Sequence, residues 1–489
     1  MPLPPTSAPD RDNPDPGGTT VRERGDACPG ALRLHAADDG ALARVRVPAG
    51  LLTARQAHVL ADAAEELGDG RLDITSRGNL QLRGLTSGCG GELAARLRRA
   101  GLLPSDRNER IRNVAASPLC GLDGPAAADV QAWARELDAL LCGAGGGADD
   151  DPGSGPGGDA DGLPDGRVDL SALSGRFLFG LDDGRGDIVA LGPDVTLIAD
   201  EDGRDGQALL YLATGSPALR VAGRHAARAA ALAAREFLAA LDEHGVTAWR
   251  VRELAPERRP RPDRLAARLA AAGIPCEVVA DATPPTGPPA EPGLVHGPGG
   301  RYALSVAAPL GRLTGDRWRL LARTAERDGG GELRVTPWRG VVIPGLTAPV
   351  AAARLADLAD AGLVTSAASA WHRAGACAGR GGCAKSLADV RADAAACLSG
   401  ARPDGTTPLL PVYWSGCERR CGHPADGHWV DVLATGDGYR VTVRDGAADT
   451  EAAAAAAAAA GPAPGPHDLA DAVADAVSAA RRTTPRPTT

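Results

Sequence analysis

GRLDITSRGNLQLRGL, residues 70–85, returns as GELRVTPWRGVVIPGL at residues 331–346. The shift of 261 residues that relates them also pairs Pro48 with Pro309, Gly50 with Gly311 and Thr53 with Thr314. From the pair 41/302 to the pair 85/346, fifteen of forty-five positions are identical without a gap. Richness in Ala, Gly and Leu does not account for the Pro and Thr matches, so an internal duplication is expected. Each copy reads as a strand (ARVRVP, 43–48; ALSVAAP, 303–309), a helix (53–67; 314–327) and a second strand opened by GRLDIT or GELRVT. Thr53 and Thr314 stand where a helix N-cap is wanted.

The copies differ in chemistry. Strand alternation over 77–83 puts Arg77, Asn79, Gln81 and Arg83 on one face and turns Leu80 and Leu82 into a core. The matching positions of the second copy are Trp338, Gly340, Val342 and Pro344. A solvated face would explain the two arginines, but not why the duplicate strand is apolar. The first copy therefore presents a fork of hydrogen-bond donors suited to an anion.

Four of the ten cysteines arrive as two close pairs, Cys377-x5-Cys383 and Cys417-x3-Cys421. The spacing is wider than the C-x2-C of a zinc ribbon and suits a four-thiolate [4Fe–4S] site, with zinc as the lesser alternative. Leu387, Val390, Ala394 and Leu398 recur at helical spacing, so Cys383 is expected to open a helix whose N-terminus favours thiolate. Lys385, the only lysine, would lie in its first turn, as a charge partner or as a plain surface residue. Cys28, Cys89, Cys120, Cys142, Cys276 and Cys397 have no ligand-like neighbours and read as buried or free thiols.

A net charge of −9 argues against a nucleic-acid partner. Residues 1–20 carry no apolar core of a signal peptide, and no apolar run approaches the roughly 18–20 residues that span a bilayer. Cytoplasmic residence follows by default. The Gly-rich stretches follow no strand and open no helix, so no nucleotide-binding domain is evident and electrons would come from a separate reductase or a ferredoxin-type carrier.

The domain plan expected is a disordered stretch 1–25, a ferredoxin-like half-domain 26–90, and an α/β domain 105–250 with a flexible insertion 143–166. A Pro-rich linker 281–293, a second half-domain 294–350, an α/β domain 365–447 carrying the cysteines, and a low-complexity tail 450–489 follow. A short helical stretch is expected near 467–481 within that tail. The fold class is α+β: duplicated ferredoxin-like half-domains plus two α/β domains.

The segments DACPGALRLH (26–35), DITSRGNLQLRGL (73–85), RNVAASPLCGLDG (112–124), RVTPWRGVVIPG (334–345) and SGCERRCGHP (415–424) resemble the sulfite/nitrite reductase superfamily. The TPWR and RNVAASPL wording is most similar to its cobalamin-biosynthesis branch, the precorrin-3B synthases. That resemblance implies an oxygen-dependent monooxygenase that converts precorrin-3A to precorrin-3B, by C20 hydroxylation and γ-lactone formation. It also implies a [4Fe–4S] cluster on Cys377, Cys383, Cys417 and Cys421, and a mononuclear non-haem iron for which His423 and His428 are weak candidates. His372, Asp426 and Asp431 lie in the same region. Arg77, Arg83 and Arg112 match basic positions that hold tetrapyrrole carboxylates, with Asn79, Gln81, Arg176 and, less firmly, Arg339 and Asn113 beside them. The reductases offer two basic residues two apart on the next strand, whereas LSGRFLFG gives Arg176 and then Leu178. The alternative implied is a sirohaem-dependent assimilatory sulfite or nitrite reductase.

Overall fold

A computed structural model describes residues 28–124, 126–143, 168–200, 206–213, 217–400, 409–424, 427–445, 448–452 and 466–482. The stretches expected to be flexible, 1–25 and nearly all of 143–166, lie outside these residues, as does the alanine tract.

The first repeat comprises β1 (His35–Ala37), β2 (Gly40–Val45), β3 (Leu51–Thr53), α1 (Ala54–Leu67), β4 (Arg71–Ile74), β5 (Leu80–Leu85) and α2 (Gly90–Arg99). The α/β unit after it runs through β6 (Val114–Ala116), α3 (Val130–Cys142), β7 (Phe179–Asp182), β8 (Val195–Ala199), β9 (Gln207–Leu212), β10 (Ala218–Ala222), α4 (Ala226–His244), α5 (Pro262–Ala271) and β11 (Cys276–Val279). It therefore continues beyond residue 250, because β11 pairs with β10.

The second repeat contains β12 (Gly293–His296), β13 (Arg301–Ala307), β14 (Arg312–Thr314), α6 (Gly315–Asp328), β15 (Glu332–Val335), β16 (Gly340–Thr347) and α7 (Ala348–Asp360). The cysteine-bearing unit holds β17 (Ala374–Ala376), α8 (Val390–Gly400), β18 (Val412–Ser415), β19 (His428–Thr435), β20 (Gly438–Asp445), β21 (Ala448–Ala452) and α9 (Pro466–Arg481).

The duplication is visible in atomic detail. Thr53 accepts the Gln56 N–H while Gln56 accepts the Thr53 N–H, a reciprocal cap, and Thr314 accepts the Arg317 N–H. The repeats exchange strands: β14 completes the sheet β1-β2-β5-β4-β14, and β3 completes β12-β13-β16-β15-β3. Leu52 pairs with Leu333 in one sheet and Leu313 with Leu72 in the other, the same register twice. Helix α1 packs on α6. Trp318, fully buried, donates its indole N–H to the Ala57 carbonyl at 2.8 Å. Ala57 is the residue that the shift pairs with Trp318, so a small side chain on one helix admits the large one on the other.

The two α/β units share a plan. β6, β7 and β8 are parallel and continue through antiparallel β9–β11, while β17, β18 and β19 are parallel and continue through antiparallel β20 and β21. Alanine-rich α4, with Phe237 and Ala230 in its buried stripe, covers the first sheet.

Two expectations about connecting segments need correction. The stretch 281–293 is not a free linker: it lies against the loop after β7, so closely that a Cβ on Gly186 would meet Pro285 and one on Gly287 would meet the Arg185 carbonyl. Nor is 466–481 part of a loose tail. Val473 and Val477 of α9 join the core of the cysteine-bearing unit. Arg481, 3% exposed, donates to the carbonyls of Leu410, Ala370 and His372.

Candidate functional site: an arginine cluster and four thiols

Leu80 and Leu82 are fully buried, as alternation requires, and Gln81 faces Arg44 across the β2–β5 pair. Arg77 and Asn79, however, precede β5, in a turn closed by Gly78 N–H to Thr75 O and Thr75 N–H to Asn79 O. They do not extend a strand face.

The Asn79 amide is consumed internally: its oxygen takes the Val47 N–H and its nitrogen donates to Asn113, which in turn donates to Phe177 O. Asn79 and Asn113 thus stitch the first half to the segment that leads into β7. Arg112 is also engaged, in a two-bond pair with Asp138 at 2.7 and 2.8 Å plus a bond to Leu102 O. Arg83 grips Asp39 with two bonds and reaches the Gly382 carbonyl at 2.8 Å, between the first two cysteines.

The unspent positive charge lies instead on β2 and just beyond it. Arg44 and Arg46 sit where the second copy has Ser305 and Ala307. Arg46 is 4% exposed and donates one nitrogen to Cys28 Sγ at 3.2 Å and to Gly175 O at 3.0 Å, while its Nε and second amino nitrogen have no partner among the described residues. The Nε of Arg44 is likewise buried and unpartnered. Arg77 joins them, with one nitrogen on the Arg176 carbonyl, and Arg176 lies 4.4 Å over the Trp249 ring.

Burial, then the neighbouring charges of Arg250 and Arg46, bring Arg77 down to about 9. Burial and Arg46 lower Arg44 too. The one carboxylate among them, Asp194, is held by Arg250 and by the Leu178 and Val251 amides. Orphaned N–H groups on Arg44 and Arg46, with the repulsion among the three guanidiniums, make a cluster that an anion would satisfy. The sequence signal for Arg44 and Arg46 was an Arg-x-Arg alternation on a strand whose duplicate lacks both.

A cavity of about 580 Å³ lies elsewhere, between Arg71, Arg312 and Arg317 on one side and Ala378, Gly382 and Arg391 on the other. Arg312 and Arg391 there both face Asp73, so it lacks the orphaned donors of the arginine cluster. The arginine cluster is the better candidate for an anionic ligand.

Cys377 follows β17 and Cys417 follows β18, at adjoining ends of parallel strands. Its own N–H reaches Trp414 O, and Gly416 N–H donates to Cys377 Sγ at 3.2 Å. Leu387 N–H to Gly416 O ties the two cysteine loops together. The approach needs a glycine: a Cβ on Gly416 would lie 1.9 Å from Ser386 Oγ.

Cys383 does not open a helix. It sits in a turn, α8 begins at Val390, Leu387 is 49% exposed, and Lys385 is on the surface. Arg391 donates to Cys377 O and Tyr413 to Cys421 O, while Arg339 donates to Gly422 O. Arg339 does so with φ 60°, in the left-handed region where the first copy has Gly78.

The Cys421 thiol is pushed up by burial and by the charges of Cys417, Cys377 and Cys383, so the four sulfurs feel one another. No three of them lie within 4.8 Å of one another. A tetrahedral zinc site with Zn–S near 2.3 Å needs sulfurs about 3.8 Å apart.

His423 stacks on Trp429 and turns Nδ1 to its neighbour's carbonyl. Among the described residues neither His423 nor His428 is drawn together with two further ligands. Asp431 is 1% exposed and paired with Arg420 and Arg444, His372 is half-buried, and Asp426 lies outside the described residues.

Residues 35–100 and 295–361 both match the nitrite/sulfite reductase ferredoxin-like half domain. The two repeats are ferredoxin-like half domains, each similar to that one. Half-domain sequence alone does not separate the branches. A ferredoxin–nitrite reductase of Leptolyngbya laminosa is 36% identical over 100 residues, 20% of either chain. One of Synechococcus elongatus is 37% identical over 106 residues, 21% of either chain. A precorrin-3B synthase of a Sinorhizobium species is 36% identical over 124 residues, 25% of this chain and 26% of that one. The matches thus span only a fifth to a quarter of those relatives' lengths. At the level of fold, the structure of the Mycobacterium tuberculosis NirA protein superposes with a TM-score of 0.61 at 20% identity, over 82% of this chain and 74% of that one. The α+β architecture around the paired half domains is therefore a shared one. No helix among the described residues is long and apolar enough to cross a membrane.

Proposed function

We propose that this chain is an oxygen-dependent monooxygenase of aerobic cobalamin biosynthesis, converting precorrin-3A to precorrin-3B by C20 hydroxylation and γ-lactone formation. The observation that carries the reading is Leu178. Where the sirohaem reductases resembled above offer a second basic residue, Leu178 is 1% exposed and packs with Ala115, Ile188 and Trp338. Sulfite and nitrite are anions and favour a cation at the reaction face, which a leucine at this position does not supply.

The tetrapyrrole's carboxylates would supply the acceptors that Arg44 and Arg46 lack, with Arg77 beside them, each charge-assisted bond being worth about 1.5–3 kcal/mol. Arg83 and Arg176 flank this set, with Gln81 holding Arg44. A [4Fe–4S] cluster on Cys377, Cys383, Cys417 and Cys421 would supply electrons singly. Inserting one oxygen atom and reducing the other to water takes two electrons and two protons, so an external reductase or ferredoxin-type carrier is a required partner. The mononuclear non-haem iron implied by the resemblance has no ligand set among the described histidines.

A sirohaem-dependent nitrite or sulfite reductase is the second reading, favoured by two nitrite reductase relatives of equal identity. Pigment extraction from anaerobically purified protein separates the two. A dithionite-bleachable brown absorption without extractable chromophore, and O2 uptake on adding precorrin-3A and reductant, supports the monooxygenase. Extractable sirohaem overturns it. Cys417→Ser is expected to remove the cluster absorption and the activity together; an active variant without the cluster would contradict the assignment.

A further inference from the structure

The loop that follows β7 stands, in the first α/β unit, where the loop that follows β18 carries Cys417 and Cys421 in the second. The match extends to individual bonds. Ser117 N–H reaches Leu181 O at 3.0 Å, as Cys377 N–H reaches Trp414 O at 3.0 Å. Asp183 N–H donates to Ser117 Oγ at 3.2 Å, as Gly416 N–H donates to Cys377 Sγ at 3.2 Å. Oxygen donors therefore occupy the place of the thiols. Asp182, Asp183 and Asp187, all buried, bring one carboxylate oxygen each within 4.8 Å of the others.

Two of these carboxylates have evident work in the loop. Asp182 takes the amides of Gly184, Gly186, Ile188 and Val189, and Asp183 pairs with Arg185, which also holds Asp123. Asp187 does not. It is 1% exposed, its Oδ1 accepts the Ser117 hydroxyl at 2.6 Å, and its Oδ2 has no partner. A buried carboxylate oxygen left without a partner is costly, so the site has an unmet demand for a cation or a proton.

We infer that Asp187, with Asp182 and Asp183 beside it, forms a site for one hard divalent cation of the Mg2+ or Mn2+ class. The donors are all oxygen, with no imidazole or thiolate, which is the set hard cations prefer. One guanidinium, Arg185, serves this acidic loop, so a dication relieves an excess of negative charge. Because Asp182 and Asp183 are largely occupied by N–H donors, the ion keeps several waters, as Mg2+ commonly does.

The site lies at the opposite ends of β6 and β7 from Arg112 and Arg176, away from the arginine cluster. Its role is to fix the loop against which Pro285–Gly287 is laid, as the thiols fix the corresponding loops of the other unit. Burial, with Asp182 and Asp183 adding repulsion against Arg185, raises Asp187 to about 7.

Mn2+ titration of the full-length, cluster-loaded protein, followed by electron paramagnetic resonance, tests this. A single Mn2+ is expected to bind and to be displaced by Mg2+, a result that needs no variant. Asp187→Asn should weaken that binding roughly tenfold or more while leaving the cluster absorption unchanged. Absence of binding at about 1 mM Mn2+, or binding that Asp187→Asn leaves intact, overturns the proposal.

Discussion

Arg46 illustrates what the folded chain forgoes for its ligand: a buried guanidinium with two nitrogens unpartnered, close enough to Arg44 and Arg77 to lower both. Replacing it with Met is expected to raise the melting temperature of the ligand-free protein, because desolvation and repulsion are both relieved. The same change should weaken tetrapyrrole binding about tenfold or more, from loss of one charged hydrogen bond or two. Calorimetry of unfolding and titration with a tetrapyrrole polycarboxylate measure the two halves of this expectation; a fall in both would make Arg46 a structural residue. Arg112→Ala should behave oppositely, destabilising by about 3–5 kcal/mol, since it strands Asp138. The types of these residues were legible in the sequence, but their roles were not. Arg77, Arg83 and Arg112 share one chemistry, and only the positions of Asp39 and Asp138 tell which charges are already neutralised.

Helices were legible from period and cap wherever the partner surface is near in sequence, as Thr53 and Thr314 show. Cys383 misled because Val390, Ala394 and Leu398 do form a buried stripe, and Leu387 lies in phase with it. The Leu387 amide is instead committed to Gly416, which a helix begun at Cys383 would forbid. The period near 467–481 located α9 but not its docking, which depends on carbonyls about a hundred residues away, at Ala370 and His372. Arg481→Ala should leave those acceptors unsatisfied, at about 1–3 kcal/mol each where water cannot reach, and raise proteolytic cleavage of the C-terminal segment. The same corner carries a pH dependence. Burial and the charges of Arg373 and Arg481 lower His372 to about 4. Its unfolded-state value is near 6.5. The unfolded chain therefore binds the extra proton first, and stability present above about pH 6.5 is lost as pH falls towards 4. Denaturant titrations across that range should show a shallower acid loss in His372→Gln than in the unmodified protein.

At the scale of the molecule, the half domains reach the thiol site by single contacts: Arg83 to Gly382, Asp73 to Arg391, which in turn holds Cys377 O, and Arg339 to Gly422. Both half domains thus touch the cysteine loops. Because each half domain lends a strand to the other, Trp318→Ala, opening a cavity at their shared centre, should cost about 3–5 kcal/mol and lower one common transition rather than splitting it. Two separate unfolding steps, for residues 35–100 and for 295–361, would show that the halves are independent.

That loan of strands also sets a timetable. Asp73 meets its partner Arg312 only after a further 239 residues have been made. At about 5–20 residues per second, β4 waits roughly 12–48 s on the ribosome with a bare edge. Throughout that interval the nascent first half offers an open strand to any other emerging chain. Its safe birth therefore rests on shielding that the finished molecule no longer needs.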